Sequence, residues 1–125
     1  MNLVYHSTRN SEETATASEA ILKGLTSDGG LFVPDSIPKL NVSLEDLTKM
    51  SYQEIAYAVM KEFLTDFTEE ELKTCINNAY DSKFDTEEIA VTKKVDGAYY
   101  LELFHGATTV SYTHLRAHET VLDLV

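Results

Sequence analysis

The sequence contains no tryptophan, one cysteine and two prolines, and no apolar run approaches the roughly 20 residues of a membrane-spanning helix. A single cysteine excludes an internal disulfide, which is typical of proteins from a reducing compartment. The first ten residues, MNLVYHSTRN, lack the charged and then apolar segments of a secretory signal. These absences predict a soluble chain, which we expect to be cytoplasmic.

Basic residues are also scarce, with 10 Lys and Arg against 21 Asp and Glu and a net charge of -11. A field of this sign repels phosphate backbones and anionic lipid, so we expect neither nucleic acid nor membrane as a partner. With 43% hydrophobic residues, a chain of 125 residues can still bury the core of one domain.

The first 85 residues are predicted to be mostly helical, with short strands at NLVYHS and LFV. Four helices are predicted from a hydroxyl residue followed three positions later by a carboxylate, the pattern of a helix N-cap. These pairs are Thr16 with Glu19, Ser43 with Asp46, Ser51 with Glu54, and Thr68 with Glu71. The spacing of apolar residues predicts which side chains face inward. They are Ala20, Ile21 and Leu25; Ile55, Ala58, Val59, Phe63 and Leu64; and Leu72, Cys75, Ile76 and Tyr80.

The periodicity changes after residue 85. The segment IAVTKKVDGAYYLELFHG predicts two strands joined by a tight turn at Asp96-Gly97. The fold class is therefore α+β: a mostly helical N-terminal module with short strands, followed by a β-hairpin. Ser7, Thr8 and Arg9 are interpreted as turn and packing residues, with an anion site at Arg9 as the alternative.

Four segments resemble the N-terminal part of threonine synthase in both order and spacing: YHSTRN, EAILKGLTSDGGLFVPDSIPKL, AYDSKF and YYLELFHGAT. The resemblance implies three regions. Residues 1–85 would be the N-terminal domain, and residues 86–109 the start of a truncated fold-type II pyridoxal-phosphate-dependent α/β domain. Residues 110–125 would be a non-native tail.

The family converts O-phosphohomoserine and water to threonine and phosphate, with pyridoxal phosphate held by a lysine as a Schiff base. In the family, His-Gly-Pro-Thr and two further residues precede Phe-Lys-Asp, which contains that lysine. His105, Gly106 and Thr108 match and are implied substrate-loop residues of the complete enzyme, whereas Tyr112 stands where the lysine is expected. The resemblance therefore implies no catalytic residue, no bound cofactor and no activity for this chain, and it leaves His105 as an exposed loop end.

The tail VSYTHLRAHET resembles a translated sequencing-library adapter. An alternative for the tail is a metal site at His114 and His118, which are four residues apart, with Glu119 beside them. The order His-x-x-x-His-Glu lacks the glutamate that zinc proteases place between the two histidines, and no third ligand is evident. Two other functions thus stay open besides a threonine synthase fragment: a free-standing interaction module and a small metal-binding protein.

Overall fold

A computed structural model describes residues 2–10, 12–82 and 84–106. The chain divides into two compact units, Met1–Asn78 and Ala79–Val125. The elements of the first unit are, in order, β1 (Tyr5–Ser7), β2 (Thr14–Ala15), α1 (Ala17–Lys23), β3 (Phe32–Pro34), α2 (Leu44–Leu47), α3 (Tyr52–Phe63) and α4 (Glu69–Ala79), whose last residue falls in the second unit. The second unit contains β4 (Val91–Val95) and β5 (Ala98–Glu102). The α+β fold class is confirmed, while the domain boundary after residue 85 stays a prediction.

All four predicted helix starts are confirmed by their caps. Thr16 and Ser51 form complete capping boxes, in which the hydroxyl accepts the N3 amide and the N3 carboxylate accepts the N-cap amide. The Ser43 hydroxyl accepts the amide of Asp46. Thr68 and Glu71 exchange the same reciprocal bonds at the start of α4, at 3.3 and 2.8 Å. Each bond satisfies a backbone group that a helix end leaves without an intrahelical partner.

The sheet of the first unit has the order β2-β1-β3, and both pairings are antiparallel. The strand β1 is central, and its Tyr5 lies opposite Ala15 of β2 and Pro34 of β3. The segment Thr14–Ala15 forms the short strand β2, which pairs antiparallel with β1.

The buried apolar core is made mainly of alanines, and it lies in the first unit. Its members among the described residues are Ala15, Ala17, Ala20, Ala58, Leu72 and Ile76. Three hydrogen bonds reach from the sheet and α1 to the end of α3 and the loop beyond it. The Tyr5 hydroxyl donates to the Phe63 carbonyl at 2.9 Å, the Leu3 amide donates to Thr65 Oγ1 at 2.8 Å, and the Ser18 hydroxyl donates to Asp66 at 2.6 Å.

Several residues that were predicted to face inward are exposed. Ile21 is 60% exposed, Leu25 53% and Val59 38%, and Cys75 is exposed as well. In α4 the buried pair is Leu72 and Ile76, four residues apart, and a helical step of about 100° turns Cys75 away from that line. In α1 the small residues Ala17 and Ala20 occupy the buried side, which leaves Ile21 in solvent.

The hairpin forms where it was predicted. Val95 pairs with Ala98 and Val91 with Glu102, so that two residues, Asp96 and Gly97, make the turn. Both have positive φ, 49° and 82°, as a two-residue turn that matches the twist of the strands requires. Within the part of the chain that the structure describes, no helix is long and apolar enough to cross a membrane.

Candidate functional site

His105 lies just beyond β5 and is held by carboxylates on both sides of its ring. Its Nδ1 is 2.7 Å from Asp85 Oδ1, and its Nε2 is 2.8 Å from Glu102 Oε2. The His105 side chain is 11% exposed and that of Glu102 16%, whereas that of Asp85 is 70% exposed. The expectation that His105 is an exposed loop end is therefore wrong, because the two carboxylates and the adjacent Phe104 ring, 4.5 Å away between centroids, enclose the imidazole.

The hydrogen bonds and charges around His105 shift its pKa and that of Glu102. The hydrogen bond to Glu102 and, after it, the bond to Asp85 raise the pKa of His105 above its usual range. The hydrogen bond from His105 and the bond from Lys93 lower the pKa of Glu102. Lys93 Nζ is 2.9 Å from Glu102 Oε1, so that each oxygen of this carboxylate has a cationic partner.

This geometry restricts the chemistry that His105 can perform. An ionised carboxylate only accepts hydrogen bonds, so both contacts are hydrogen bonds only while both ring nitrogens carry a proton. In that protonated state the ring has no free lone pair with which to act as a general base or a metal ligand. Among residues 2–10, 12–82 and 84–106, no group of three or more His, Cys, Asp or Glu side chains could hold a metal ion.

A second polar cluster joins the end of β1 to the loop before β3. Asp28 accepts hydrogen bonds from the hydroxyls of Thr26 and Ser7 and from the amide of Gly30. Ser7 and Thr26 are buried, at 3% and 5% exposed. The bond from Thr26, and then those from Ser7 and Gly30, lower the pKa of Asp28 against the opposing effect of its burial.

Gly30 is at the centre of this second cluster. A Cβ at this position would lie 2.5 Å from Ser7 Oγ, 2.9 Å from Thr26 Oγ1 and 3.0 Å from Thr8 Oγ1. The second glycine of the SDGGLFVP segment is therefore required because the hydroxyl cluster occupies the space of a side chain.

The side chains of Arg9 and Thr8 join the same cluster by hydrogen bonds to backbone groups of the loop. Arg9 Nη1 donates to the Asp28 carbonyl at 3.0 Å, and the Leu31 amide donates to Thr8 Oγ1 at 3.0 Å. These contacts favour turn and packing roles for the segment Ser7-Thr8-Arg9. The sequence alone did not predict that this segment contacts the loop before β3. The reason is that 19 residues separate Ser7 from Thr26, and no local pattern joins them.

A cavity of about 470 Å³ lies between α3, α4 and the segment before α3. Its walls combine apolar side chains with two lysines, and they include Met50, Tyr57, Ala58, Lys61, Lys73 and Ile76. The ammonium groups of Lys61 and Lys73 lie 5.7 and 5.1 Å from the centre of the Tyr57 ring. Both distances lie within the range of a cation–π contact.

The predicted residues of the loop are only partly within the described structure. Gly106 directly follows His105 in a bend. Thr108, Tyr112, His114, His118 and Glu119 lie outside the described residues, so the loop and metal-site hypotheses stay predictions for these positions.

The arrangement of a short three-stranded sheet, alanine-lined helices and a hairpin ending in His105-Gly106 can be compared with known proteins. The family model described as "Threonine synthase N terminus" matches residues 4–80. The chain belongs to the threonine synthase family.

Individual threonine synthases support the same assignment. The chain is 37% identical to the threonine synthase of Saccharomyces cerevisiae over 115 residues, and 39% identical to that of Eremothecium gossypii over 118. These matches cover 84% and 86% of this chain but only 22% and 23% of the two relatives. The chain thus spans less than a quarter of the length of these threonine synthases.

Solved threonine synthases have the same fold in this region. The crystal structure of the yeast enzyme gives a TM-score of 0.73 at 37% identity, over 84% of this chain and 22% of that one. A threonine synthase from Brucella melitensis with bound pyridoxal phosphate gives 0.72 at 27% identity, over 98% of this chain and 28% of that one. Both alignments cover more of this chain than the residues 4–80 that the family model matches.

Proposed function

We propose that residues 1–109 represent the N-terminal part of a cytoplasmic threonine synthase, with residues 1–85 as its N-terminal domain and residues 86–109 as the start of its pyridoxal-phosphate domain. The complete enzyme would convert O-phosphohomoserine and water to threonine and phosphate. The observation that supports this proposal best is the family match over residues 4–80. Residues 110–125 would not belong to the native enzyme, and the 125-residue chain would be inactive by itself.

Lys73, which lies beside the cavity, does not fit the role of a cofactor lysine. A Schiff base forms from a neutral amine, whose pKa must be lowered by its surroundings. Lys73 shows the opposite: its bond to Glu69 and the charge of that carboxylate raise its pKa. Tyr112, where the family resemblance places the lysine, has a phenol and cannot form the imine. The expectation that this chain contains no catalytic residue therefore stays part of the proposal.

The proposal can be tested with a chimaera in a yeast strain that lacks threonine synthase. Residues 1–106 of this chain would replace the matching N-terminal part of the yeast enzyme, joined after Gly106. We expect growth without threonine, because the chimaera retains the yeast cofactor lysine. The same chimaera with that lysine changed to alanine is the control, and it should not support growth.

A second strain would express the 125-residue chain alone. We expect no growth without threonine from this strain. If the chimaera accumulates as folded protein but does not restore growth, the assignment of these residues to a threonine synthase is contradicted. If the isolated chain restores growth, the prediction of inactivity is wrong.

Cofactor binding by the isolated chain can be measured directly. After incubation with pyridoxal phosphate and reduction with borohydride, peptide mass mapping should find no stoichiometric adduct on a single lysine. The yeast enzyme treated in parallel is the positive control. A specific adduct at full occupancy on one lysine would contradict the prediction that the isolated chain does not bind the cofactor as a Schiff base.

A further inference from the structure

The two-sided contact of His105 links three points of the second unit. Asp85 precedes β4, Glu102 ends β5, and His105 lies in the segment that leaves β5. The Asp85 amide also donates to the His105 carbonyl at 3.0 Å. The path of the chain after β5 is therefore fixed by one backbone bond and two bonds to the imidazole ring.

The charges of this group balance only while the ring is protonated. Asp85 and Glu102 each contribute a negative charge, and His105 and Lys93 each contribute a positive one. When the ring loses a proton, one nitrogen turns a lone pair towards a carboxylate oxygen, and a hydrogen bond becomes a repulsive contact. The His105 and Glu102 side chains are only 11% and 16% exposed, so little water is available to replace the bond between these two groups, whereas the Asp85 side chain is 70% exposed.

We propose that Asp85, Glu102 and His105 form a pH-dependent latch that fixes the course of the chain as it leaves β5. The latch is closed while both carboxylates are ionised and both ring nitrogens carry protons, and it opens when the ring is deprotonated. Asp85 and Glu102 act as positioning residues for His105, and Lys93, on β4, holds the second oxygen of Glu102.

The direction of the pH dependence follows from the two shifted groups. The raised pKa of His105 means that its contribution is fully present below the usual histidine pKa of about 6.5 and is lost as pH rises through the raised value. The lowered pKa of Glu102 means that its contribution is present above the usual glutamate pKa of about 4.3 and is lost as pH falls through the lowered value. The latch is therefore expected to be closed in mildly acidic solution and to open on the alkaline side.

The latch does not depend on the proposed function, because it follows from contacts inside the second unit. Its test needs only the 125-residue chain with ¹⁵N-labelled histidine. Ring-nitrogen NMR would follow the protonation of each histidine against pH, and a His105→Gln variant would assign the signal of His105. We expect His105 to titrate above the usual histidine pKa of about 6.5, with both ring nitrogens protonated below its midpoint.

Two isosteric variants and one matched control isolate the latch from general charge effects. Asp85→Asn and Glu102→Gln should each lower the pH at which His105 titrates, because each removes a charged acceptor from one ring nitrogen. Glu87→Gln removes the same charge from the exposed segment before β4 without a contact to His105, and it should leave the titration in place.

The opening of the latch can be measured at the backbone amide of Asp85. Its hydrogen exchange, corrected for the intrinsic pH dependence, should lose protection at the midpoint of the His105 titration, while the amides of α3 keep theirs. The proposal is overturned if His105 titrates at the usual histidine pKa of about 6.5 and neither isosteric variant moves it. It is also overturned if protection of the Asp85 amide does not change across the titration of His105.

Discussion

The first unit, Met1–Asn78, is called here the helical unit, and the second unit, which contains β4 and β5, the hairpin unit. The two are stabilised by different interactions, although both have regular secondary structure. All the buried apolar side chains found among the described residues belong to the helical unit, from Ala15 to Ile76. The hairpin unit instead exposes a series of large apolar side chains: Val95, Tyr99, Tyr100, Leu101, Leu103 and Phe104. Its order rests on the strand ladder, the Asp96-Gly97 turn and the ion pairs at His105.

This difference shows that regular hydrogen bonding and burial need not occur together. A two-stranded hairpin alone is marginally stable in water, because its ladder replaces hydrogen bonds that water would supply. Apolar burial contributes most of the favourable free energy of folding. Mutations should therefore have large effects on global unfolding in the helical unit and small effects in the hairpin.

The largest effect is expected from truncating the core of α4. Ile76 is 2% exposed, and Ile76→Ala should lower the free energy of unfolding by about 2–5 kcal/mol, the usual range for a buried aliphatic side chain. Leu22 is 87% exposed and supplies the control, since Leu22→Ala should change stability by less than about 0.5 kcal/mol. Urea unfolding followed by circular dichroism measures both. Equal losses in the two variants would show that the burial pattern is wrong.

The next effect concerns the hydroxyl cluster at the end of β1. Gly30→Ala should cost about 1–3 kcal/mol, because the new methyl group overlaps Ser7 Oγ at 2.5 Å. In a Ser7→Ala background the same substitution should cost less, because the nearest oxygen is gone. Chemical denaturation of the wild type, the two single variants and the double variant gives the coupling free energy between positions 7 and 30. Strict additivity would contradict the predicted contact.

A smaller effect is expected at the start of α3. Ser51→Ala should cost about 0.5–2 kcal/mol, since it removes the hydroxyl that accepts the Glu54 amide, whereas Ser51→Thr keeps the hydroxyl and most of the stability. Hydrogen bonds from the Ser51 amide and hydroxyl lower the pKa of Glu54. Their contribution is present above the usual glutamate pKa and is lost as pH falls through the lowered value.

The loss caused by Ser51→Ala should therefore be larger at pH 7 than at acid pH. Thermal unfolding of the wild type and both variants from neutral pH to pH 3 measures this difference. A loss that grew on acidification would contradict the capping-box geometry.

The smallest effect is expected in the hairpin. Leu101 is 56% exposed, and Leu101→Ala should change global stability by less than about 0.5 kcal/mol. Hydrogen exchange by NMR should show weaker protection for the amides of β4 and β5 than for those of α3 and α4. Stronger protection of the hairpin than of the helices would reverse the comparison.

Sequence reasoning predicted correctly those features that depend on neighbouring residues. The four N-caps join residues three positions apart, and the hairpin turn needs only an Asp-Gly pair between two strands. It failed for Ile21, Val59 and Cys75, because the spacing of apolar residues gives a stripe on a helix but not the side chain that the rest of the fold covers. In both α1 and α3 the covered residue is an alanine beside the larger side chain.

The sequence alone thus determined the positions of the helices, the turn of the hairpin and the family, since these depend on local hydrogen bonds and on motifs read in order. Only the tertiary structure brought Ser7 to Thr26 and Asp28, and His105 to Asp85 across 20 residues of chain. Such contacts join side chains whose separation in the sequence has no regular period. Their geometry is set by how the strands and loops pack, and that packing also places a carboxylate beside each ring nitrogen of His105.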